Sequence, residues 1–298
     1  MRILLLCLGL LIGAPLTAQE MTPRAYWPIP LETQVLTVGA LYTTGDIVPD
    51  PSLPVTGLDS KIATGLLGYL RSMSLFGRSA NFILEVPYSN GTSEVEHSEL
   101  GLVERDYRGL GDIAATVSVN LMGAPAMTKA DFSQFRHDPK PVLGASLKVV
   151  APTGEYEDDK VLNVGANRWA AKAELGYIAL LAPRWLLELH AGVWLFGDND
   201  DFLGLTKEQN DIYSAQAHLV HRFSPGFWVS VDMTAYKGGR STLDDVRLDD
   251  LQRDSKLGLT AVFPLARGHG LKASWATGSV NDSDESFNIY SISYQRLF

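Results

Sequence analysis

The last thirteen residues constrain this chain more than any other stretch. From Ser286 to Phe298 they read S-F-N-I-Y-S-I-S-Y-Q-R-L-F. Tyr290, Ile292, Tyr294 and Phe298 fall two or four apart and share one face of an extended strand, while Ser291, Ser293 and Gln295 fill the other. An apolar-faced terminal strand is a sticky edge in a soluble protein. In a closed transmembrane barrel it is the last stave, and pairing with the first stave satisfies its backbone. Arg296 stands where an apolar residue is more usual, at a place where its guanidinium can snorkel into periplasmic headgroups.

The other end of the chain agrees. Met1-Arg2 is followed by an almost wholly apolar Ile3 to Ile12 and a small or turn-forming Gly13 to Ala18, the pattern of a secretory signal peptide over residues 1–18. The single cysteine, Cys7, lies inside that segment, so a mature chain has neither disulfide nor thiol chemistry. No later stretch approaches the ~20 apolar residues of a membrane helix. Mean hydropathy is only +0.02, as expected where half of each strand faces a polar lumen. A net charge of −9 argues against nucleic acid as a partner. A terminal Phe with apolar residues at alternate preceding places resembles the assembly signal of bacterial outer-membrane proteins. The barrel assembly machinery is therefore an expected partner, through the strand ending in Phe298, together with outer-membrane lipid and lipopolysaccharide.

Period-two alternation predicts twelve strands, near 33–43, 61–71, 80–89, 110–121, 141–152, 168–181, 185–196, 211–223, 227–236, 255–264, 270–278 and 286–298. Connections after even strands are mostly tight, as at Gly77-Arg78-Ser79, Ala182-Pro183-Arg184 and Ser224-Pro225-Gly226. Those after odd strands are longer and carry 24 of the 34 acidic residues. Short turns at one end and long loops at the other describe an outer-membrane barrel, whereas a soluble β-sandwich has no reason to keep its long loops together. The expected fold is thus all-β: a transmembrane antiparallel up-and-down barrel over 32–298, preceded by an irregular periplasmic lead-in at 19–31. One even-side connection, 122–140, is long enough for a periplasmic helical turn or for a segment folded into the lumen. Eleven aromatics, Trp194 and Tyr236 among them, sit mostly near strand ends, where interfacial belts are expected.

A set of short motifs recurs in order: Gly109-Leu110-Gly111-Asp112, Pro152-Thr153-Gly154-Glu155-Tyr156, Asn163 to Trp169, Gly197 to Phe202, and Gly238-Gly239-Arg240. Together they resemble the outer-membrane transporter-like family named for the meta-pathway of phenol degradation. The resemblance spans residues 32–298 and implies a porin-like barrel taking up aromatic or other hydrophobic compounds.

Candidate site residues are the charges on the polar strand faces: Glu85, Asp112, Lys148, Lys172, Glu174, Glu188, His190, Asp232, Lys256 and Lys272. Charge faces lipid only at high cost, so these mark the lumen. They either line a water path or pair across the lumen and plug it. The chain is not expected to be an enzyme. His97-Ser98 is the only adjacent His/Ser pair and lacks a hydrolase context. His218 and His221, three apart, fall on opposite strand faces. Asp198 to Asp201 and Asp244-Asp245 with Asp249-Asp250 lack the spacing of a calcium loop and read as solvated surface. No cofactor or metal is expected. The functional expectation is an outer-membrane channel for passive passage of small solutes, aromatic or hydrophobic ones among them; the alternative is a non-conducting structural or surface-binding barrel. A closed barrel of this kind resists SDS until heated, so unboiled and boiled samples should migrate differently in a gel; co-migration together with a soluble periplasmic fraction would refute the architecture.

Overall fold

The structure is a computed structural model and describes residues 21–46, 58–97, 101–160, 162–279 and 286–298. The expected signal peptide at 1–18 lies outside them. Twelve antiparallel staves close into a barrel. In chain order they are β1 (Gln34–Asp46), β2 (Leu58–Leu75), β3 (Arg78–His97), β4 (Gly101–Leu110) continued by β5 (Ile113–Met122), β6 (Val142–Ala151), β7 (Ala170–Ala182) and β8 (Trp185–Phe196). After two rim strands, β9 (Asn199–Phe202) and β10 (Leu205–Gln209), follow β11 (Ile212–Ser224) and β12 (Phe227–Gly238). Two more rim strands, β13 (Ser241–Leu243) and β14 (Val246–Arg247), precede β15 (Gln252–Ala266), β16 (His269–Ser279) and β17 (Ser286–Leu297). The ring closes where β17 pairs with β1, from Val35 opposite Leu297 to Gly45 opposite Phe287. The Phe298 N–H extends this seam by donating to the Gln34 carbonyl at 2.9 Å. All twelve strands read from the alternation are staves of this barrel, and the terminal strand is its closing member.

Each stave keeps the two-residue alternation. β7 exposes Leu175, Tyr177 and Leu181 and buries Lys172 and Glu174; β12 exposes Val231 and Met233 and buries Ser230, Asp232 and Thr234. With hydrocarbon outside, the exposed row is the lipid face and the buried row the lumen. One stave is broken. Pro87 in β3 has no N–H to give, and the chain opposite leaves the ladder at Gly111-Asp112, between β4 and β5. The Gly111 N–H still reaches the Pro87 carbonyl at 2.9 Å, and the Asp112 side chain turns inward.

The long even-side connection contains a helix, α1 (Lys129–His137). Thr128 caps it: its Oγ1 accepts from the Asp131 N–H at 3.2 Å, and Asp131 returns the bond to the Thr128 N–H at 3.1 Å. Phe135 packs edge-on against Trp27 with ring centroids 5.4 Å apart, which holds the helix beneath the short-turn end of the barrel. At the long-loop end, β9, β10, β13 and β14 form a separate four-stranded sheet. Asp250 fixes it by accepting the Ser241 N–H on both carboxylate oxygens, at 2.9 and 3.1 Å.

The lead-in differs from the periplasmic strand-free segment expected of it. Residues 21–31 are irregular, but they run inside the ring. Tyr26 lies across Gly144 of β6 and Gly176 of β7, where a Cβ at either glycine would overlap its ring. Glycine was needed at both because another piece of backbone and ring passes close by. This generates a prediction. Gly176→Ala should displace the lead-in and expose the Arg24-Ala25 bond of the purified barrel to trypsin, leaving heat-modifiable migration intact. In a Tyr26→Ala background, where the bond is already exposed, the same change should add nothing. Unchanged protection in the single variant would show that the ring does not depend on these glycines.

Candidate functional site: the barrel lumen

The lumen is layered. Near the short-turn end, Tyr26, Trp27, Met127, Phe135, Ile178, Leu186 and Val220 form one apolar cluster. Near the loop end, Ile62, Tyr107, Leu162, Val164 and Phe287 form a second, and Ala114, Val150, Trp194, Ile212 and Tyr236 a third. Trp194 and Tyr236 therefore point inward rather than joining the interfacial belt. Parity along β8 and β12 puts them on the rows of His190 and Asp232, which their closeness to the strand ends did not reveal.

Between these layers lies the polar belt. Glu174 is its hub. The Lys172 Nζ stands 2.6 Å from its Oε2, and the Gln216 amide donates to the same oxygen at 3.3 Å. The Tyr26 hydroxyl donates to Oε1 at 3.0 Å, and His190 lies 3.5 Å from that oxygen. Burial, followed by the Glu174 charge, raises the Tyr26 pKa far above its ordinary value, so this phenol stays a donor. Beside the hub, His218 Nδ1 bonds Asp232 at 2.8 Å, and Thr260 donates to the other Asp232 oxygen at 2.7 Å. The lead-in completes the belt. The Arg24 N–H donates to Glu188 at 2.7 Å, its guanidinium approaches the same carboxylate at 3.7 Å, and it stacks over Trp27 at 4.1 Å. Burial pulls the Arg24 pKa down to about 10, with Glu188 opposing and Arg222 reinforcing; Arg24 remains a cation at neutral pH.

This packing fills one side of the lumen and leaves a cavity of about 1340 Å³ on the other. Its wall is apolar or small along β1, β2, β3 and β17, including Leu41, Leu66, Gly68, Ile83 and Ile289. Glu85 of β3 with Lys148, 2.9 Å apart, and the Lys172–Glu174 pair continue its border from β3 round to β7, and Lys272 borders it from β16. All ten sequence-derived charges face inward, nine from strand rows and Asp112 from the break between β4 and β5. Glu85, Asp112, Lys148, Lys172, Glu174 and Lys272 border the cavity, whereas Glu188, His190, Asp232 and Lys256 are packed behind it. Sequence reasoning missed the lead-in as part of the site. Its signal was the pair of inward glycines, Gly144 and Gly176, on otherwise well-formed strands.

Asp112 serves a different purpose from the other charges. Its Oδ1 accepts the N–H groups of Thr153 and Gly154 at 2.9 and 2.7 Å, and its Oδ2 that of Ala166 at 2.8 Å. It thus pins both ends of the 153–167 loop, which carries Val164 over the outer end of the cavity. Asn199, inside the acidic run 198–201, extends the brace: its amide donates to the Tyr156 hydroxyl at 2.9 Å and to the Ala166 carbonyl at 3.2 Å. His218 is buried inward, while His221 lies tilted against Trp185 with ring centroids 4.4 Å apart. The His97 side chain and Ser98 lie outside the described part of the structure.

The family model described as "Putative MetA-pathway of phenol degradation" matches residues 39–294. The chain belongs to this family. Among solved structures, the phenol-degradation family barrel seen here is similar to the COG4313 outer membrane channel from Pseudomonas putida F1. The TM-score is 0.77 at 22% identity, covering 94% of this chain and 100% of that one. It is also similar to the transport unit of the autotransporter AIDA-I from Escherichia coli (TM-score 0.52, 7% identity, 94% of each chain). The β domain of the Bordetella autotransporter BrkA matches at TM-score 0.50 and 14% identity, over 90% of this chain and 100% of that one. No curated protein matches the chain. At these identities the likeness shows the fold, that of a bacterial outer-membrane barrel, and outer-membrane lipid is the surrounding of this family member.

The brace yields a prediction. Asp112→Ala orphans three backbone amides, each worth ~1–3 kcal/mol when left unsatisfied. The 153–167 loop should detach, and trypsin cleavage after the exposed Lys160 should accelerate more than about tenfold. Asp112→Asn, which keeps one acceptor oxygen, should fall between. Equal cleavage in all three proteins would remove Asp112 from the loop's support.

Proposed function

We propose that this barrel is a channel for passive passage of small amphipathic molecules with an aromatic or other apolar body. The observation that carries this reading is the mixed lining of the cavity: its volume is ample for a small organic molecule, with an apolar wall for the body and ion pairs bordering that wall for a polar group. The family and the channel likeness support it; the nature of the solute rests on the cavity wall. A second reading, a non-conducting barrel, is favoured by one specific observation. The lead-in and α1 fill the short-turn end, where the Leu31 N–H donates to the Met127 carbonyl at 2.8 Å and joins the two segments. Phe298 and its strand are the segment we assign to the barrel assembly machinery.

Planar-bilayer conductance and proteoliposome uptake discriminate the two. The channel reading expects a small conductance and faster entry of a benzene-ring solute than of a sugar of similar mass. Lys272→Glu should shift ion selectivity toward cations, because Lys272 borders the cavity. Lys172→Glu is the poorer probe, since it would set two carboxylates side by side under Tyr26. Absence of both conductance and uptake in a correctly assembled barrel would establish the second reading.

A further inference from the structure

Three donor side chains meet on the lipid-facing surface beside the closing seam. β16 and β17 pair His269 with Arg296 and Leu271 with Tyr294, and β1 sets Leu36 and Val38 opposite Arg296 and Tyr294. Arg296, Tyr294 and His269 are on outward rows; Arg296 and Tyr294 are exposed and His269 is half-buried. An Arg296 N–H donates to His269 Nε2 at 2.5 Å. That fixes the tautomer, because Nε2 must then be the acceptor and Nδ1 carries the proton. Nδ1 accordingly donates to the Tyr294 oxygen, with which it is in close contact. The Tyr294 O–H proton is left to point outward, and most of the Arg296 N–H groups are left beside it. The guanidinium also covers the Phe298 ring at 5.4 Å. Among the described residues no carboxylate pairs with Arg296.

The place of this cluster decides what it can meet. Arg296 is two residues from Phe298 and opposite the start of β1, at the short-turn end of the barrel, which is the periplasmic headgroup level. Its outward neighbours Leu36, Val38, Leu271 and Ile292 are apolar and belong in acyl chains. A cation with unused donors at that boundary is stabilised by an anion supplied from the membrane, and a planar guanidinium with an adjacent hydroxyl matches phosphate oxygens. No acidic side chain in the cluster would receive the ammonium of a zwitterionic headgroup.

We propose that Arg296, His269 and Tyr294 form a binding site for the phosphodiester of an anionic phospholipid in the periplasmic leaflet, with its acyl chains lying over the β16–β17–β1 seam. Arg296 and Tyr294 donate to the phosphate, and His269 orients both.

The test is native mass spectrometry of the full barrel, refolded into a zwitterionic detergent and titrated with phosphatidylglycerol or with phosphatidylcholine of the same chains. Heat-modifiable migration is checked first for every variant. The wild-type protein should retain phosphatidylglycerol roughly tenfold more tightly. Arg296→Gln should abolish the preference and Tyr294→Phe should reduce it, while Tyr290→Phe, on the same outward row, should leave it unchanged. Because Arg296 and Tyr294 belong to the closing strand, where an assembly defect would mask binding, His269→Ala on β16 is the second probe and should also weaken the preference. Equal retention of the two lipids by the wild-type protein would overturn the proposal, as would a preference that survives both Arg296→Gln and His269→Ala. If inorganic phosphate alone displaces phosphatidylglycerol at equal concentration, the site recognises free anion rather than lipid, and the proposal also fails.

Discussion

Everything in this structure depends on the pairing of β17 with β1. Within hydrocarbon an unpaired backbone N–H or C=O has no water to turn to, so a sheet can cross a membrane only when its two edges bond to each other. The seam from Val35 opposite Leu297 to Gly45 opposite Phe287 does this, and Phe298 extends it by one more bond. An even number of staves then follows, because both termini must arrive at the same end. The tight turns collect at that end and the long acidic loops at the other. The same constraint explains how the one interrupted stave is repaired. Where Pro87 cannot donate, Gly111 keeps one bond to it, and the displaced Asp112 carboxylate takes up three loop amides.

Closing the ring creates a second problem, the inward half of every strand. A polar row facing a narrow lumen is stable only if its groups find water or each other. Here the rows of β7, β8, β11 and β12 find each other and the lead-in, with Glu174 gathering Lys172, Gln216, Tyr26 and His190. The rows of β1, β2 and β17 carry Thr, Gly, Leu and Ser and ask for little. The result is asymmetric: a packed, charged side and an open, mostly apolar side. On the proposed channel reading, solute selectivity is a property of the open wall and of the ion pairs that border it. The buried belt sets the position of the lead-in.

The apolar clusters at the two ends add a dry layer above and below the charged belt. At the loop end, Leu162 and Val164 reach it because Asp112 and Asn199 tie the 153–167 loop to the wall. At the short-turn end it depends on Trp27 and on α1, whose cap at Thr128 and contact through Phe135 place it under the barrel. Both closures join connections to inward stave residues, such as Ile62 and Phe287 at the loop end and Ile178 and Val220 at the other.

The sequence alone determined the twelve staves, the inward direction of the ten charges, the closing strand and the family. Each of these rests on a two-residue period or on a short ordered motif, and both are local. Alternation says which way a side chain points; it does not say how far the lumen is filled in front of it. That was decided by tertiary contacts between residues far apart in the chain. Glu188 and His190 look no different in sequence from Lys148, yet they are sealed behind Arg24 and Tyr26 while Lys148 borders the cavity. Trp194 and Tyr236 sit near strand ends like belt aromatics but face inward, because their parity in the ring outweighs their height along it. The lead-in reads as an irregular periplasmic segment because its fold is made of partners 120 to 194 residues away, among them Ser146 and Gln216. Packing inside a barrel is set by strands that meet across a closed ring, and only the closed ring brings them together.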